Sequence, residues 1–431
     1  MTTYGGAPSL MHGWVPLCVE IVAAVALGYA LTRRRPSCSP FHVGVALAVG
    51  VAAVVAAQWA LHDSGISGEV APWPMWAWTF TSAFAMTIAV SRWRAGNGWW
   101  RHGAVLASSL CLLSTGLVVN SWIGYLPTVP VAWDQLTGRP LPHQRDWSTA
   151  AAMRSRGEVP PDGQMIPVDT GDRASGFRHR TEWVYLPPAW FRSRPGTTSA
   201  VMMIGGEFST SADWVRAGQA VATADSYADA HDGNAPVLVF VDANGTFVND
   251  TECVNGIRGR AADHLTKDVV PHIVGQFGVG VGPAHWSVAG FSSGGTCAVD
   301  LAVMHPETFG TFVDIGGDER PNVGTQAQTV QRLFGGDRHA WSEFDPATAI
   351  ARHGRYADTA GLFVVADSAH SDIDAANRLC DVSAAHGIRC SVTALPGRHT
   401  WPFAAAAFEM ALPWLSGYLA IAQPPSRSSA S

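Results

Sequence analysis

Lysine is almost missing from this chain: Lys267 is the only one, and arginine carries the rest of the positive charge. No long run of Lys and Arg occurs and the formal net charge is −6, so the surface that displaces counterions from a phosphate backbone is lacking. That excludes a nucleic-acid partner. Charge of either sign is scarce, at 14% of 431 residues against 47% hydrophobic content, which is too apolar for a wholly soluble chain of this length. There is no glycine-rich phosphate-cradling loop and no internal repeat. The stretch "DANGTFVNDTEC" (242–253) begins like a calcium loop, but Phe247 stands where the turn needs glycine and Cys253 where the bidentate glutamate belongs. No metal site and no cofactor are expected.

Apolar length is concentrated in the first third. Segments 13–32, 41–62, 71–93 and 104–126 approach the roughly 20 residues that cross a bilayer. Aromatic residues sit at their edges ("APWPMWAW", "SWIGY"), as at a membrane interface. Four transmembrane helices over 1–127 are therefore predicted. Arg33, Arg34 and Arg35 follow the first segment and Arg92, Arg94 and Arg101 fall between the third and fourth, whereas the loop 63–70 has no basic residue. The positive-inside rule then makes both basic loops cytoplasmic and places the N-terminus and everything after 127 on the extracytoplasmic side. The first segment carries its positive charge after its apolar run, unlike a cleavable signal peptide, and is expected to stay in the mature chain. Glu20 within it is expected to snorkel or pack between helices.

Residues 128–174 are mixed in polarity and rich in Pro and Gly, and read as a linker with one short helix near 147–156. From 175 to 420, β-rich runs ("SAVMMIGG", "PVLVFVDA", "HWSVAGF", "FVDIGG", "GLFVVAD", "RCSVTAL") alternate with helical stretches, the pattern of a mainly parallel sheet covered on both faces. Residues 421–431 read as a disordered tail. The expected whole is a four-helix transmembrane region followed by an α/β domain.

"WSVAGFSSGG" holds two adjacent serines. A nucleophile elbow needs glycines two residues before and after the serine, because side chains there collide with backbone. Gly290 and Gly294 frame Ser292 in that way, while Ser293 has Phe291 two residues before it. Ser292 is the candidate nucleophile. The hydrolase order places the acid and then the histidine downstream. His399 in "LPGRHTWPF", after the last strand, is the candidate base. The acid should follow "GLFVVAD"; Asp372 is preferred for its reach along the loop, with Asp367 as alternative. Oxyanion amides are expected from Ser293, which opens the next helix, and from Glu207 after "MIGG", with Gly206 as alternative.

Together, "MMIGGEFSTSADW", "VFVDANGTFVNDTECVNG", "HLTKDVVPHI", "WSVAGFSSGGTCAVDLAVMHPETFG" and "PGRHTWPF" resemble the esterase branch of the α/β-hydrolases that includes esterase D and the antigen 85 mycolyltransferases. Membrane-anchored actinobacterial proteins of this type are the nearer match, including "VNSWIGYLPTV" at the last helix exit. The resemblance implies a Ser–acid–His triad and two oxyanion amides at the positions above. Antigen 85 proteins use a glutamate as acid; none occurs in 366–380, so the role passes to an aspartate here. The stretch "LFGGDRHAWSEFDP" (333–346) is similar to the excursion that shapes the substrate pocket, with Trp341 as a wall or as a core residue.

Four cysteines, 253, 297, 380 and 390, fall in the outside domain, where disulfides persist. Three connectivities are open; Cys253 with Cys297 and Cys380 with Cys390 are the expected pairs. Cys18, Cys38 and Cys111 are expected to be unpaired. The expected activity is an extracytoplasmic serine carboxylic-ester hydrolase acting on a lipid or cell-envelope ester. The alternatives are a mycolyl-type acyltransferase to a sugar hydroxyl and a non-catalytic envelope binding protein.

Overall fold

The computed structural model describes residues 6–32, 40–64, 71–95 and 98–420, and the chain divides into two compact units, Met1–Gly138 and Arg139–Ser431.

The first unit contains α1 (Trp14–Thr32), α2 (Pro40–Ser64), α3 (Trp73–Ala95), α4 (Gly98–Ile123) and the short α5 (Val129–Thr137). Its burial is inverted relative to a water-soluble bundle. Leu17, Ile21 and Val25 of α1, Leu47, Val51 and Val55 of α2 and Leu112 and Leu113 of α4 are exposed, while small side chains (Ala23, Ala85, Cys111) are buried. Small residues at helix contacts and large apolar ones outside suit a lipid solvent. Three segments, Trp14–Leu31, Pro40–Asp63 and His102–Ile123, are long and apolar enough to cross a membrane. α3 is as long but more polar. The hydroxyls of Thr79, Thr81, Thr87 and Ser91 each donate to the carbonyl four residues earlier, and Ser82 and Thr115 hydrogen-bond at 2.8 Å. Leu10 N–H donates to Pro127 O and Val129 N–H to Pro8 O, both at 3.0 Å, so the segment entering α1 lies beside the segment leaving α4. Arg33, Arg34 and Arg35, the side chains of Arg92, Arg94 and Arg101, Cys38, the loop 65–70 and the tail 421–431 lie outside the described residues.

The second unit is built on an eight-stranded sheet. Its strands are β1 (Gln164–Val168), β2 (Glu182–Leu186), β3 (Ala200–Ile204), β4 (Val237–Val241), β5 (Trp286–Phe291), β6 (Thr311–Ile315), β7 (Ala360–Ala366) and β8 (Arg389–Leu395), in the order β1-β2-β4-β3-β5-β6-β7-β8. β1 with β2 and β2 with β4 are antiparallel; every other neighbouring pair is parallel. β3, β4 and β5 are buried at every position, as the continuous Val/Ile/Met/Phe runs require of strands covered on both faces. α6 (Trp147–Arg156) precedes β1; the chain then crosses between strands through α7 (Ala220–Ala230), α8 (Val270–Phe277), α9 (Ser293–Met304), α10 (Gln326–Phe334), α11 (Arg338–Glu343), α12 (Pro346–His353) and α13 (His370–Ala385), and α14 (Trp401–Tyr418) follows β8.

The stretch 128–174 is not a tether. It contains α5, α6 and β1, and the second unit begins at Arg139 instead of 175. Pro167 hides β1 in the sequence, because proline argues against a strand; an edge strand tolerates it, and β1 pairs with β2 along its length while its other side meets only an isolated bridge between Gln144 and Met165.

Candidate active site

The end of β5 and the start of α9 meet in a single residue, Ser292, with φ 59° and ψ −130°. That conformation is strained for any residue with a side chain and persists only where its surroundings impose it. The surroundings are visible: a Cβ on Gly290 would stand 1.8 Å from Gly294 O, and one on Gly294 2.4 Å from Ile204 O. Ser292 N–H donates to Ile315 O (3.0 Å), and Ser292 O accepts from Gly295 N–H (2.7 Å). The elbow is thus fixed from both sides, against β3 and against β6.

Gly206, just past β3, packs on the same serine. A Cβ there would be 2.8 Å from Ser292 Cβ and 3.3 Å from its Oγ. Its carbonyl accepts from Ser209 Oγ (2.5 Å) and Asn244 Nδ2 (3.3 Å). Because the peptide is planar and trans, pinning that carbonyl aims the Glu207 N–H the opposite way. Arg180 holds the far end of the loop, donating from Nη2 to Ser209 O (2.8 Å) and from Nε to Asp242 Oδ2 (2.9 Å). Ser293 begins α9, where first-turn amides lack intrahelical partners. The structure therefore gathers Gly206, Glu207, Ser292 and Ser293 at one place.

His399 comes to that place from the loop between β8 and α14. Its ring stacks on Phe291, the residue before Ser292, at 4.7 Å between centroids, and a Cβ on Gly316 would lie 3.0 Å from its Nδ1. Of the two expected acids, Asp367 is exposed and its N–H donates to Leu395 O (2.9 Å). Asp372 is half-buried in the first turn of α13 and accepts from Ser371 Oγ (3.0 Å). A third carboxylate, Asp318 in the loop after β6, was not legible as a candidate. Desolvation raises its pKa, a hydrogen bond from Asn322 and the charge of His399 lower it, and Asp372 raises it again. Asp318, which is exposed at the surface, thus lies within electrostatic range of both His399 and Asp372. The signal for it was "FVDIGGDER", an acid just past a strand end, one strand earlier than the usual position of the acid.

The surroundings are acidic. Burial, then the charge of Asp250, pushes Glu207 up to about 8, against the pull of Arg258. Asp250 is raised to about 6 and Glu252 well above the ordinary range, in both cases chiefly by burial. Asp314, at the end of β6, is raised to about 7 by burial, against a hydrogen bond from Gly317 N–H at 2.6 Å. Carboxyls held near or above neutrality can donate as well as accept hydrogen bonds. Cys253–Cys297 ties the acidic loop 250–253 to α9, and Cys380–Cys390 ties α13 to β8, both as paired from the sequence. Cys18 and Cys111 are free thiols. Trp341 on α11 is partly buried against the main core, with Arg320 over its ring at 6.0 Å.

Residues 177–379 match the family model described as "Putative esterase". An uncharacterized protein of Corynebacterium glutamicum is 30% identical over 279 residues, covering 62% of this chain and 64% of that relative's own length. Among solved structures, an S-formylglutathione hydrolase from Agrobacterium tumefaciens aligns with a TM-score of 0.49 at 16% identity, covering 61% of this chain and 97% of that one. MPT51 of Mycobacterium tuberculosis aligns at 0.41 and 19% identity, covering 56% and 94%. Residues 177–379, just under half of the chain, are thus similar to this esterase family.

Proposed function

We propose that the chain is a membrane-embedded, extracytoplasmic serine carboxylic-ester hydrolase that works through an acyl-enzyme on a lipid or cell-envelope ester. The observation that carries the proposal is the strained Ser292 elbow with the Gly206–Glu207 backbone packed against it and His399 stacked on the neighbouring Phe291. Ser292 Oγ attacks the ester carbonyl while His399 takes its proton, and the amides of Glu207 and Ser293 receive the oxyanion. The carboxylates Asp318 and Asp372 stabilise the imidazolium; Asp318 is the one whose charge is coupled to His399. The acyl group then passes to water. Transfer to a sugar hydroxyl, as a mycolyl-type enzyme would perform it, is the second reading. It is favoured by the raised carboxyl of Glu207, which stays protonated near neutrality and so can donate a hydrogen bond to an alcohol.

The pairing of residues 8–10 with 127–129 favours four crossings, α3 included, over three. Three crossings would separate those segments by a bilayer. With the arginine-bearing loops cytoplasmic, the catalytic unit lies outside.

Labelling of the full-length protein in membranes with a fluorophosphonate probe tests the proposal. Wild type should label, and Ser292→Ala and His399→Ala should not. Asp318→Asn and Asp372→Asn should each slow labelling, and Asp367→Asn should not. Failure of folded wild type to label would sink the hydrolase reading and favour a binding protein with a hydrolase-like fold.

A further inference from the structure

The short helix α5 takes no part in the proposed chemistry, yet it is closed at both ends. Thr128 caps its start, accepting from Val131 N–H, with Pro130 in the first turn, and Gly138 ends it at φ 62° with its N–H returned to Asp134 O. Its nine residues rise only about 13–14 Å, whereas a crossing needs roughly 20 residues. Val129, Trp133 and Leu136, spaced i, i+4 and i+7, make one apolar face. That face is bare: Trp133 is 58% exposed and Leu136 81%. Asp134 and Gln135 lie elsewhere around the helix, and Gln135 Nε2 donates to Tyr125 Oη at 2.9 Å.

Hydrogen bonds set the level at which α5 starts. Asn120, near the end of α4, holds Leu126 in both directions: Nδ2 donates to Leu126 O (2.9 Å) and Oδ1 accepts from Leu126 N–H (2.7 Å). Pro127 and Val129 are then bonded to Leu10 and Pro8, so α5 begins beside the segment that leads into α1. On the topology proposed above, that end of the bundle carries the first residue of α1, Trp14, the last turns of α2 with Trp59, and the first residue of α3, Trp73. All three indoles are exposed. Tryptophan collects where hydrocarbon meets the headgroups, and Trp133 adds a fourth indole at the same end.

We propose that α5 is an interfacial helix, lying in the headgroup region of the outer leaflet with Val129, Trp133 and Leu136 turned into the lipid. The proposal rests on the membrane reading above. Its occupant is the bilayer because the face continues a surface on which Leu17, Ile21, Leu112 and Leu113 of α1 and α4 are likewise exposed. The helix has no basic residue, so apolar burial holds it and attraction to anionic lipid does not. Arg139, where the second unit starts, follows the capping glycine directly, so the chain leaves the interface without a spacer.

The test is nitroxide labelling of the full-length protein in phosphatidylcholine vesicles, with Cys18, Cys38 and Cys111 replaced by alanine and both disulfides kept. Single labels go on Val129→Cys, Trp133→Cys and Leu136→Cys, and on Leu47→Cys of α2 as the hydrocarbon reference. Each sample is read for collisions with oxygen, which partitions into lipid, and with a water-soluble nickel chelate. The oxygen-to-nickel ratio at 129, 133 and 136 should lie above that of a nitroxide in water and below that at 47. An aqueous ratio at 133 and 136 with a lipid ratio at 47 would overturn the proposal and leave the membrane reading standing. An aqueous ratio at 47 would overturn both. Exclusion of both reagents at 133 and 136 would show a second copy or another protein surface covering the face, and would also refute it. Should the cysteine-replaced background fail to fold, a photoreactive benzoylphenylalanine at position 136 of the otherwise wild-type chain decides. Lipid adducts support the proposal, and protein adducts or none refute it.

Discussion

Gly206→Ala isolates the contact on which the proposed oxyanion site depends. The added Cβ would meet Ser292 Cβ at 2.8 Å and Phe291 O at 3.1 Å, whereas unstrained carbon contacts lie at about 3.5–4.0 Å. Neither neighbour can swing away, because both belong to the elbow that Gly290 and Gly294 lock in place. The loop 205–207 must therefore retreat by about 0.7–1 Å from the serine. A displacement of that size costs on the order of 10²-fold in rate, and full loss of one oxyanion donor 10²–10³-fold, or about 2.7–4 kcal/mol. The backbone at Gly206 does not need positive φ, so the fold should survive. The assay is the second-order rate of fluorophosphonate inactivation, with circular dichroism as the folding check. Gly275→Ala is the control: it lies in α8 with no atom within 4 Å of the new Cβ, and should label like wild type while gaining about 0.5–1 kcal/mol of stability. A folded Gly206→Ala protein inactivated within a few-fold of the wild-type rate would refute the assignment of this loop to the oxyanion site.

Two further outcomes concern stability, both read from denaturant melts of the full-length protein. The Cys253–Cys297 bond closes 44 residues and the Cys380–Cys390 bond 10, so chain entropy predicts losses of about 4 and about 3 kcal/mol on replacing each pair with alanine. The reverse ranking would show that native strain or denatured-state structure dominates. Asp300 on α9 is buried, both its oxygens lack hydrogen bonds, and burial raises its pKa well above the ordinary value. A carboxyl with a raised folded-state pKa favours the fold only while protonated, so its contribution falls as pH climbs from about 4 toward the folded-state value. Asp300→Asn should flatten that fall and add about 1–3 kcal/mol at pH 8 relative to wild type. Identical pH slopes for the two proteins would disprove the buried-charge penalty.

Much of this protein is set by local pattern. Membrane-length apolar runs, strand–helix alternation and Gly290-x-Ser292-x-Gly294 each follow from rules that act within a few residues: the thickness of hydrocarbon, side-chain period and the clash of a Cβ with backbone. The edge strand β1 was missed because Pro167 breaks the local rule that only sheet position relaxes. Tertiary structure alone decided which charges share a dielectric. The charge of His399 acts on Asp318 because β6 lies beside β5 in the sheet, and Glu207, Asp250 and Asp318 act on Glu252 together because three separate loops meet at the same end of the sheet. Glu182 and His264 converge for the same reason: 82 residues separate them, and only the packing of the π-turn 264–269 against β2 brings them within 3.3 Å. Coulomb interactions and hydrogen bonds depend on distance in space, which no local sequence rule encodes.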